Sequence, residues 1–241
     1  MKLLFVGKAP NFIDLVGSFG WEDPVQAYRI REWVDLKDIP RTTSANYAYV
    51  APCDSFGMMN NGVNTILSRV LFPGIDRSVK DSFSKVGVLT SNGIPYCPIG
   101  KAVTVPTFIP YVQLIATPIY WVYQNVKHTH NAYHAMYAIL EEAYQEKNRI
   151  DIMVIPIFCT EEGISSIESM RQMKMAYDDF QRSIPPRWNY VKIIKEQPIL
   201  NINNGFRIHG VSNEYEYESS EVRVIDNTGA TPGAGIPIHP L

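Results

Sequence analysis

Two apolar runs that stop abruptly at small and polar residues constrain this sequence more than any other feature. The first lies in residues 46–63 (NYAYVAPCDSFGMMNNGV) and the second in residues 154–163 (VIPIFCTEEG). Each run is followed by apolar residues at helical spacing, so each predicts a strand, a loop and a helix in turn. Open α/β sheets place ligand crevices at the carboxyl ends of such strands. We therefore expect the functional site to lie between these two loops.

The composition is that of an ordinary globular protein. The chain has 241 residues, of which 46% are hydrophobic and 19% charged, so it is long enough for one full-sized core. Its net charge of −2 lacks the Lys/Arg surplus that binding to phosphate backbones requires. Nucleic acid is therefore not expected as the bulk partner.

The sequence also argues against a membrane partner and an oxidising compartment. No run approaches the ~20 apolar residues of a membrane span, and the apolar run at residues 3–6 is too short for a signal-peptide core. The three cysteines form no C-x-x-C pair, which is typical of a reduced compartment. We predict a cytoplasmic protein.

Strand and helix patterns alternate along residues 1–182 and predict a three-layer α/β/α domain with a mixed sheet. The predicted strands are residues 3–6, 27–33, 47–51, 99–106, 112–117 and 150–158, and residues 88–97 are predicted as a loop. Asp35 is expected at the end of the second strand. Asn131 is predicted to cap one helix, and Ser165 with Glu168 predicts a capping box for another. Val70 and Ile167 are placed on the apolar faces of their helices.

From residue 183 the pattern changes to short β-type runs and Pro/Gly-rich sequence. Asn204-Gly205 predicts a hairpin turn, and residues 227–241 (NTGATPGAGIPIHPL) predict extended chain. We predict that residues 183–241 form a β-rich C-terminal extension of the α/β domain.

Four motifs, taken in order, resemble the macro-domain family of ADP-ribose-binding modules. They are Ala51-Pro52-Cys53-Asp54-Ser55-Phe56-Gly57 continuing to Asn61-Gly62-Val63, then Asn131-Ala132-Tyr133, residues 156–163, and Met173-x-x-x-Tyr177. The resemblance is to the bacterial and phage-type branch, whose first loop reads Pro-Ala-Asn-Ser-Phe-Gly and continues to Gly-Gly-Ile/Val. It covers about residues 1–182. It implies that the chain binds ADP-ribose or a related nucleotide and, in some members, hydrolyses ADP-ribose derivatives.

The resemblance also implies the residues of the site. Asp35 falls where a family aspartate receives the adenine amino group, and Asp54 falls where an asparagine faces the distal ribose. By the same resemblance, residues 60–63 fall where a Gly-rich loop passes the distal ribose, and residues 160–164 fall where backbone amides hold the diphosphate. Amides at the start of a helix point at an anion, which is consistent with this role. The complete predicted ligand-binding set is Asp35, Asp54, Phe56, Asn60, Asn61, Gly62, Val63, Thr160, Glu161, Glu162, Gly163 and Ile164. If the chain is an enzyme, an ADP-ribosyl hydrolase or ADP-ribose phosphoesterase, its predicted catalytic residues are Asp54 and Asn61, which flank a water beside the diphosphate.

The predicted phosphate loop departs from the family pattern. Cys159 and Glu161 stand where the family has glycines, and the carboxylates of Glu161 and Glu162 add negative charge beside a diphosphate. The alternative prediction is therefore a degenerate macro fold that serves as a non-enzymatic structural or assembly protein. Such a protein would be associated with a viral or phage particle, and residues 183–241 would contact a protein partner or a second copy.

No cofactor and no metal is predicted. His128, His130 and His134 lie close together in the sequence, but no acidic or cysteine ligand accompanies them. Cys53 and Cys159, one in each loop, are expected to be small buried hydrophobes rather than nucleophiles.

Overall fold

A six-stranded mixed sheet forms the centre of the molecule. The structure is a computed structural model and describes residues 1–21, 24–42, 44–145 and 149–186. The strands of the sheet are β1 (Lys2–Gly7), β2 (Val25–Arg29), β3 (Tyr47–Asp54), β6 (Val103–Pro106), β7 (Val112–Tyr120) and β8 (Ile152–Pro156), while β4 (Val88–Leu89) and β5 (Pro95–Tyr96) make a separate short hairpin. The order across the sheet is β2-β1-β8-β3-β7-β6. All neighbours are parallel except β6, which runs antiparallel to β7.

Helices cover both faces of this sheet. The helices are α1 (Phe12–Gly17), a 3₁₀ helix (Trp33–Asp38), α2 (Gly62–Ile66) continuing into a π-helical turn (Leu67–Leu71), α3 (Ile75–Ser84), α4 (Asn131–Ala143) and α5 (Ser166–Gln181). The buried side chains of α1, α4 and α5 belong to one core, and those of the 3₁₀ helix, α2 and α3 belong to a second core. The predicted three-layer α/β/α architecture is confirmed.

The central strands are apolar throughout because both of their faces are covered. All eight residues of β3 are buried. Its side chains alternate between the two cores, with Ala48 and Val50 in one and Tyr47, Tyr49 and Ala51 in the other. Parallel strands that are covered on both sides read as continuous apolar runs, which is why the sequence identified β3, β7 and β8.

Three local predictions about the first half of the chain are wrong. The second strand ends at Arg29, so Asp35 lies inside the 3₁₀ helix rather than at a strand end. Residues 88–97 contain β4 and β5, which are too short to produce a sequence period. Val70 is 46% exposed, because the π-helical turn that contains it rotates its side chain away from the core.

Two predictions about the later helices are also wrong. Asn131 is the first residue of α4 rather than its cap, and its side-chain amide donates to the carbonyl of Ile119 at 2.7 Å. Ile167 is 66% exposed on α5, although Met170 and Met173 of the same predicted face are buried. Ser165 does cap α5, since its hydroxyl accepts the amide of Glu168 at 3.2 Å.

The predicted hairpin at Asn204-Gly205 and the Pro/Gly-rich segment lie outside the described residues. Within the described residues, none of the helices combines the length and the apolar character that a bilayer span requires.

Candidate functional site

A narrow crevice lies at the carboxyl ends of two adjacent strands, β3 and β8, whose following helices cover opposite faces of the sheet. After β3 the chain passes to the face covered by α2 and α3, whereas after the adjacent strand β8 it passes to the face covered by α4 and α5. Two neighbouring strands whose connections leave on opposite faces open a gap at their carboxyl ends, and open α/β sheets bind ligands in such gaps. The crevice is lined by Trp33, Pro52, Asn61, Gly62, Val63, Asn64, Ile119, Tyr120, Pro156, Ile157, Cys159, Thr160, Glu161 and Glu162.

The loop after β3 is held in shape by its own aspartate. One carboxylate oxygen of Asp54 accepts the amides of Phe56 and Met58, each at 2.9 Å. The side chain is 8% exposed, and burial raises its pKa although these amide bonds act in the opposite direction. Asp54 therefore fixes the path of the loop towards α2.

Two asparagines face the crevice from the start of α2. Asn61 donates its amide to the phenol oxygen of Tyr120 at 3.1 Å. Asn64 is 2% exposed, and its amide nitrogen donates to the carbonyl of Pro52. Among the described residues, the side-chain oxygen of Asn64 has no hydrogen-bond partner. Because the amide nitrogen donates to the Pro52 carbonyl, the side-chain oxygen of Asn64 is an acceptor that still lacks a donor in this wall of the crevice.

The loop after β8 turns through two left-handed residues. Cys159 has φ +59° and Gly163 has φ +102°, so Cys159 adopts a backbone conformation that usually requires glycine. The carbonyl of Cys159 accepts the amide of Ile164 at 3.0 Å, and the carbonyl of Glu162 accepts the amide of Val126 at 2.8 Å. The loop is thus tied to itself and to the segment before α4.

The side chain of Glu161 points into the site. Its Oε1 accepts the indole N–H of Trp33 at 3.1 Å and lies 3.5 Å from the Lys8 ammonium. Its Oε2 lies only 2.5 Å from the position that a Cβ on Gly62 would take. The carboxylate therefore joins the loop after β8 to the 3₁₀ helix and to the start of α2.

In this arrangement the crevice is small. It encloses about 30 Å³, which is the space of roughly one water molecule. Pockets for small-molecule ligands are typically about 300–1,000 Å³. The crevice is therefore smaller than a typical ligand pocket, and Glu161 is one of the side chains that line it.

The second glutamate of the loop has a strongly perturbed acidity. Burial, and next the negative charge of Glu161, raise the pKa of Glu162 to about 7. Its charge also acts on the Tyr120 phenol, whose pKa is raised mainly by burial. Near neutral pH the crevice therefore contains a carboxyl group that is about half protonated.

Asp35 lies in a different environment from the one that the sequence suggested. Its Oδ2 accepts the amides of Arg31 and Glu32 at 2.9 and 3.0 Å, within a capping box at the start of the 3₁₀ helix. These bonds, first that from Glu32 and then that from Arg31, lower the pKa of the Asp35 carboxyl. The aspartate thus orients the helix that carries Trp33.

The structure brings half of the predicted site residues together. Asn61, Gly62, Val63, Thr160, Glu161 and Glu162 line the crevice, whereas Asp35, Asp54, Phe56, Asn60, Gly163 and Ile164 are not among the lining residues. Sequence reasoning missed Trp33, Asn64 and Tyr120. Tyr120 ends a strand that was predicted to stop at residue 117, and Asn64 lies on the buried side of α2, where a polar residue within an apolar pattern was the available signal.

The histidines and cysteines do not form a reactive or metal-binding centre in the part of the chain that the structure describes. No three His, Cys, Asp or Glu side chains there are placed to hold a metal ion. His134 is buried, and burial, followed by the charge of His130, lowers its pKa to about 4. Cys53 and Cys159 are buried free thiols with pKa values raised well above the ordinary range by burial.

Comparison with known proteins gives similarity at the level of structure alone. No protein-family model and no curated protein matches the sequence. The macrodomain of Mycobacterium tuberculosis DarG matches 57% of this chain and 85% of its own, with 14% identity and a TM-score of 0.44. The Oceanobacillus iheyensis macrodomain with MES bound matches 58% of this chain and 87% of its own, with 10% identity and a TM-score of 0.30.

A third similar structure, the alphavirus P23pro-zbd, matches 64% of this chain but only 27% of its own, with 11% identity and a TM-score of 0.32. The chain is an α/β protein with a six-stranded mixed sheet.

Proposed function

We propose that this protein binds ADP-ribose or a related nucleotide in the crevice between the loops that follow β3 and β8. The observation that carries the proposal is the position of the crevice at the switch point of the sheet, with polar side chains from both loops in its walls. The resemblance of these two loops to macro-domain loops supports the same ligand class.

In the proposed complex the Glu161 side chain leaves the crevice, and its exposed interactions allow this. The side chains of Lys8 and Glu161 are 40% and 43% exposed. Ion pairs at such exposure contribute only about 0–1 kcal/mol. The ion pair therefore opposes this movement only weakly, and the donors of Lys8 and Trp33 become available to the ligand once Glu161 has moved.

In the proposed complex the two loops have different tasks. Residues 160–162 hold the diphosphate through backbone amides, and residues 61–63 pass the distal ribose. Hydrolysis of ADP-ribose derivatives would use a water held between the diphosphate and the loop that contains Asp54 and Asn61.

Calorimetric titration of the full chain with ADP-ribose tests the proposal. Asn61→Ala removes a lining amide and is expected to weaken binding by about tenfold, since it removes one polar contact worth about 1 kcal/mol or more. The matched control is Gln113→Ala, which removes an amide from a β7 residue lining a groove at the opposite edge of the sheet. The control should bind as the wild type does. Absence of heat with millimolar ADP-ribose would show that the proposal is wrong.

The competing proposal is a non-enzymatic assembly protein whose contacts run through residues 183–241. The small volume of the crevice favours it, because a scaffold needs no ligand space. If light scattering shows a monodisperse monomer both for the full chain and after removal of residues 187–241, this result would count against assembly. Self-association that is lost on this removal, together with no ADP-ribose binding, would favour assembly over nucleotide binding.

A further inference from the structure

Three groups from separate parts of the chain converge on the Glu161 carboxylate. The Lys8 ammonium comes from the turn after β1, the Trp33 indole N–H from the 3₁₀ helix, and Gly62 from the first position of α2. The Lys8 ammonium also lies 5.1 Å from the centre of the Trp33 ring, so the two donors form one unit.

The third group contributes space rather than a side chain. Gly62 has φ +49°, and any Cβ at this position would lie 2.5 Å from Glu161 Oε2. A cation and an N–H donor beside a position without a side chain are parts from which proteins build receptors for phosphate or carboxylate groups.

A second observation points to a ligand deeper in the same crevice. The Asn64 side-chain oxygen is buried and has no hydrogen-bond partner among the described residues. An acceptor in this position requires an O–H or N–H donor, which a sugar hydroxyl supplies and a phosphate does not. The more exposed mouth of the crevice thus suits an anion, and its buried wall suits a hydroxyl.

We propose that Glu161 is a built-in occupant of an anion subsite formed by Lys8, Trp33 and Gly62, and that a phosphorylated sugar displaces it. The sugar phosphate takes the place of the Glu161 carboxylate, and a sugar hydroxyl donates to Asn64. This inference rests on the proposed function, because the subsite belongs to the same crevice. It adds that the protein carries its own competitor for anionic ligands.

The remaining negative group in the crevice does not prevent such binding. Burial raises the pKa of Glu162 to about 7, so its carboxyl group is partly neutral near neutral pH. The carboxylate that an incoming phosphate must replace is therefore that of Glu161, which is also the more exposed of the two.

The test compares the full-length wild type with Glu161→Gln in titrations with ribose 5-phosphate, ribose and inorganic phosphate. Glu161→Gln removes the competing charge and is expected to bind ribose 5-phosphate at least about tenfold more tightly, given the size of like-charge repulsion at short range. Ribose affinity should be the same for both proteins. Adding Lys8→Met to Glu161→Gln should abolish the gain.

Glu141→Gln is the matched control, because it removes an equal charge from an exposed position on α4. It should behave as the wild type, and thermal unfolding should verify that every variant is folded. Equal affinities of wild type and Glu161→Gln for both phosphate probes, or binding too weak to detect in both proteins, would overturn the inference. A gain of similar size in Glu141→Gln would overturn it as well, since net charge alone would then explain the effect.

Parallel titrations with ADP-ribose separate this inference from the proposed function. If ADP-ribose binds to wild type and Glu161→Gln equally well, the function stands and the anion subsite is wrong. If neither protein binds ADP-ribose but Glu161→Gln gains affinity for ribose 5-phosphate or inorganic phosphate, the subsite stands and the proposed nucleotide ligand is wrong.

Discussion

Glu162 is expected to make the stability of this protein depend on pH. Burial, and next the charge of Glu161, raise its pKa from the ordinary 4.5 to about 7. The folded state therefore binds this proton more tightly than the unfolded state does. The contribution of Glu162 to stability is fully present below about pH 4.5 and is lost as the pH rises through about 7.

The size of the effect follows from the same change in proton affinity. The difference between 4.5 and about 7 corresponds to ~3 kcal/mol, at about 1.4 kcal/mol for each tenfold change. The side chain keeps partial contact with water, so we expect ~1–3 kcal/mol. Glu162→Gln removes the titrating group. The free energy of unfolding of Glu162→Gln minus that of wild type should therefore be larger at about pH 8 than at about pH 5 by this amount.

Urea unfolding of both proteins at the two pH values measures this double difference. Glu141→Gln controls for the loss of one charge from the same protein, because its side chain is exposed on α4. The reasoning is refuted if the free-energy difference between Glu162→Gln and wild type changes by less than ~0.5 kcal/mol between the two pH values. It is also refuted if the change has the opposite sign.

Three further predictions concern the core, a helix cap and the thiols. Met136→Ala, at a fully buried position of α4, should lower the free energy of unfolding by ~2–5 kcal/mol. Ile167→Ala, at an exposed position of α5, should change it by less than ~0.5 kcal/mol. Similar losses in the two variants would contradict the packing. Ser165→Ala removes the hydroxyl that accepts the Glu168 amide and should cost ~1 kcal/mol in the same assay, so an unchanged unfolding midpoint would mean that the cap contributes nothing. All three cysteines are buried with raised pKa values, so Ellman's reagent should modify them far faster in urea than in the native protein; equal rates would show that the thiols are accessible.

Sequence periodicity predicted the elements correctly where one face of a helix, or both faces of a strand, are buried over several residues. It located β3, β7 and β8, the buried face of α3, and the cap at Ser165. It failed where a local hydrogen bond or an irregular turn replaced the regular pattern. The capping box of Asp35 is one such place, and the π-helical turn that exposes Val70 is another.

The two loops that border the crevice were predicted from sequence, because strand-to-loop transitions are local features. The loops after β3 and β8 were identified as its walls, and six of their residues line the crevice. The contributions of Trp33, Asn64 and Tyr120 were not foreseen. They come from segments far from one another in sequence, and only the strand order brings β7 and the 3₁₀ helix to the same edge of the sheet.

The sequence by itself determined the fold class, the two loops and the presence of two acidic residues in the second loop. The tertiary structure decided what those residues do. Whether Glu161 faces solvent or the crevice depends on Lys8, Trp33 and Gly62, which are 153, 128 and 99 residues away in the chain. The direction of a long side chain is set by the partners that surround it in space, and a linear pattern does not contain that information.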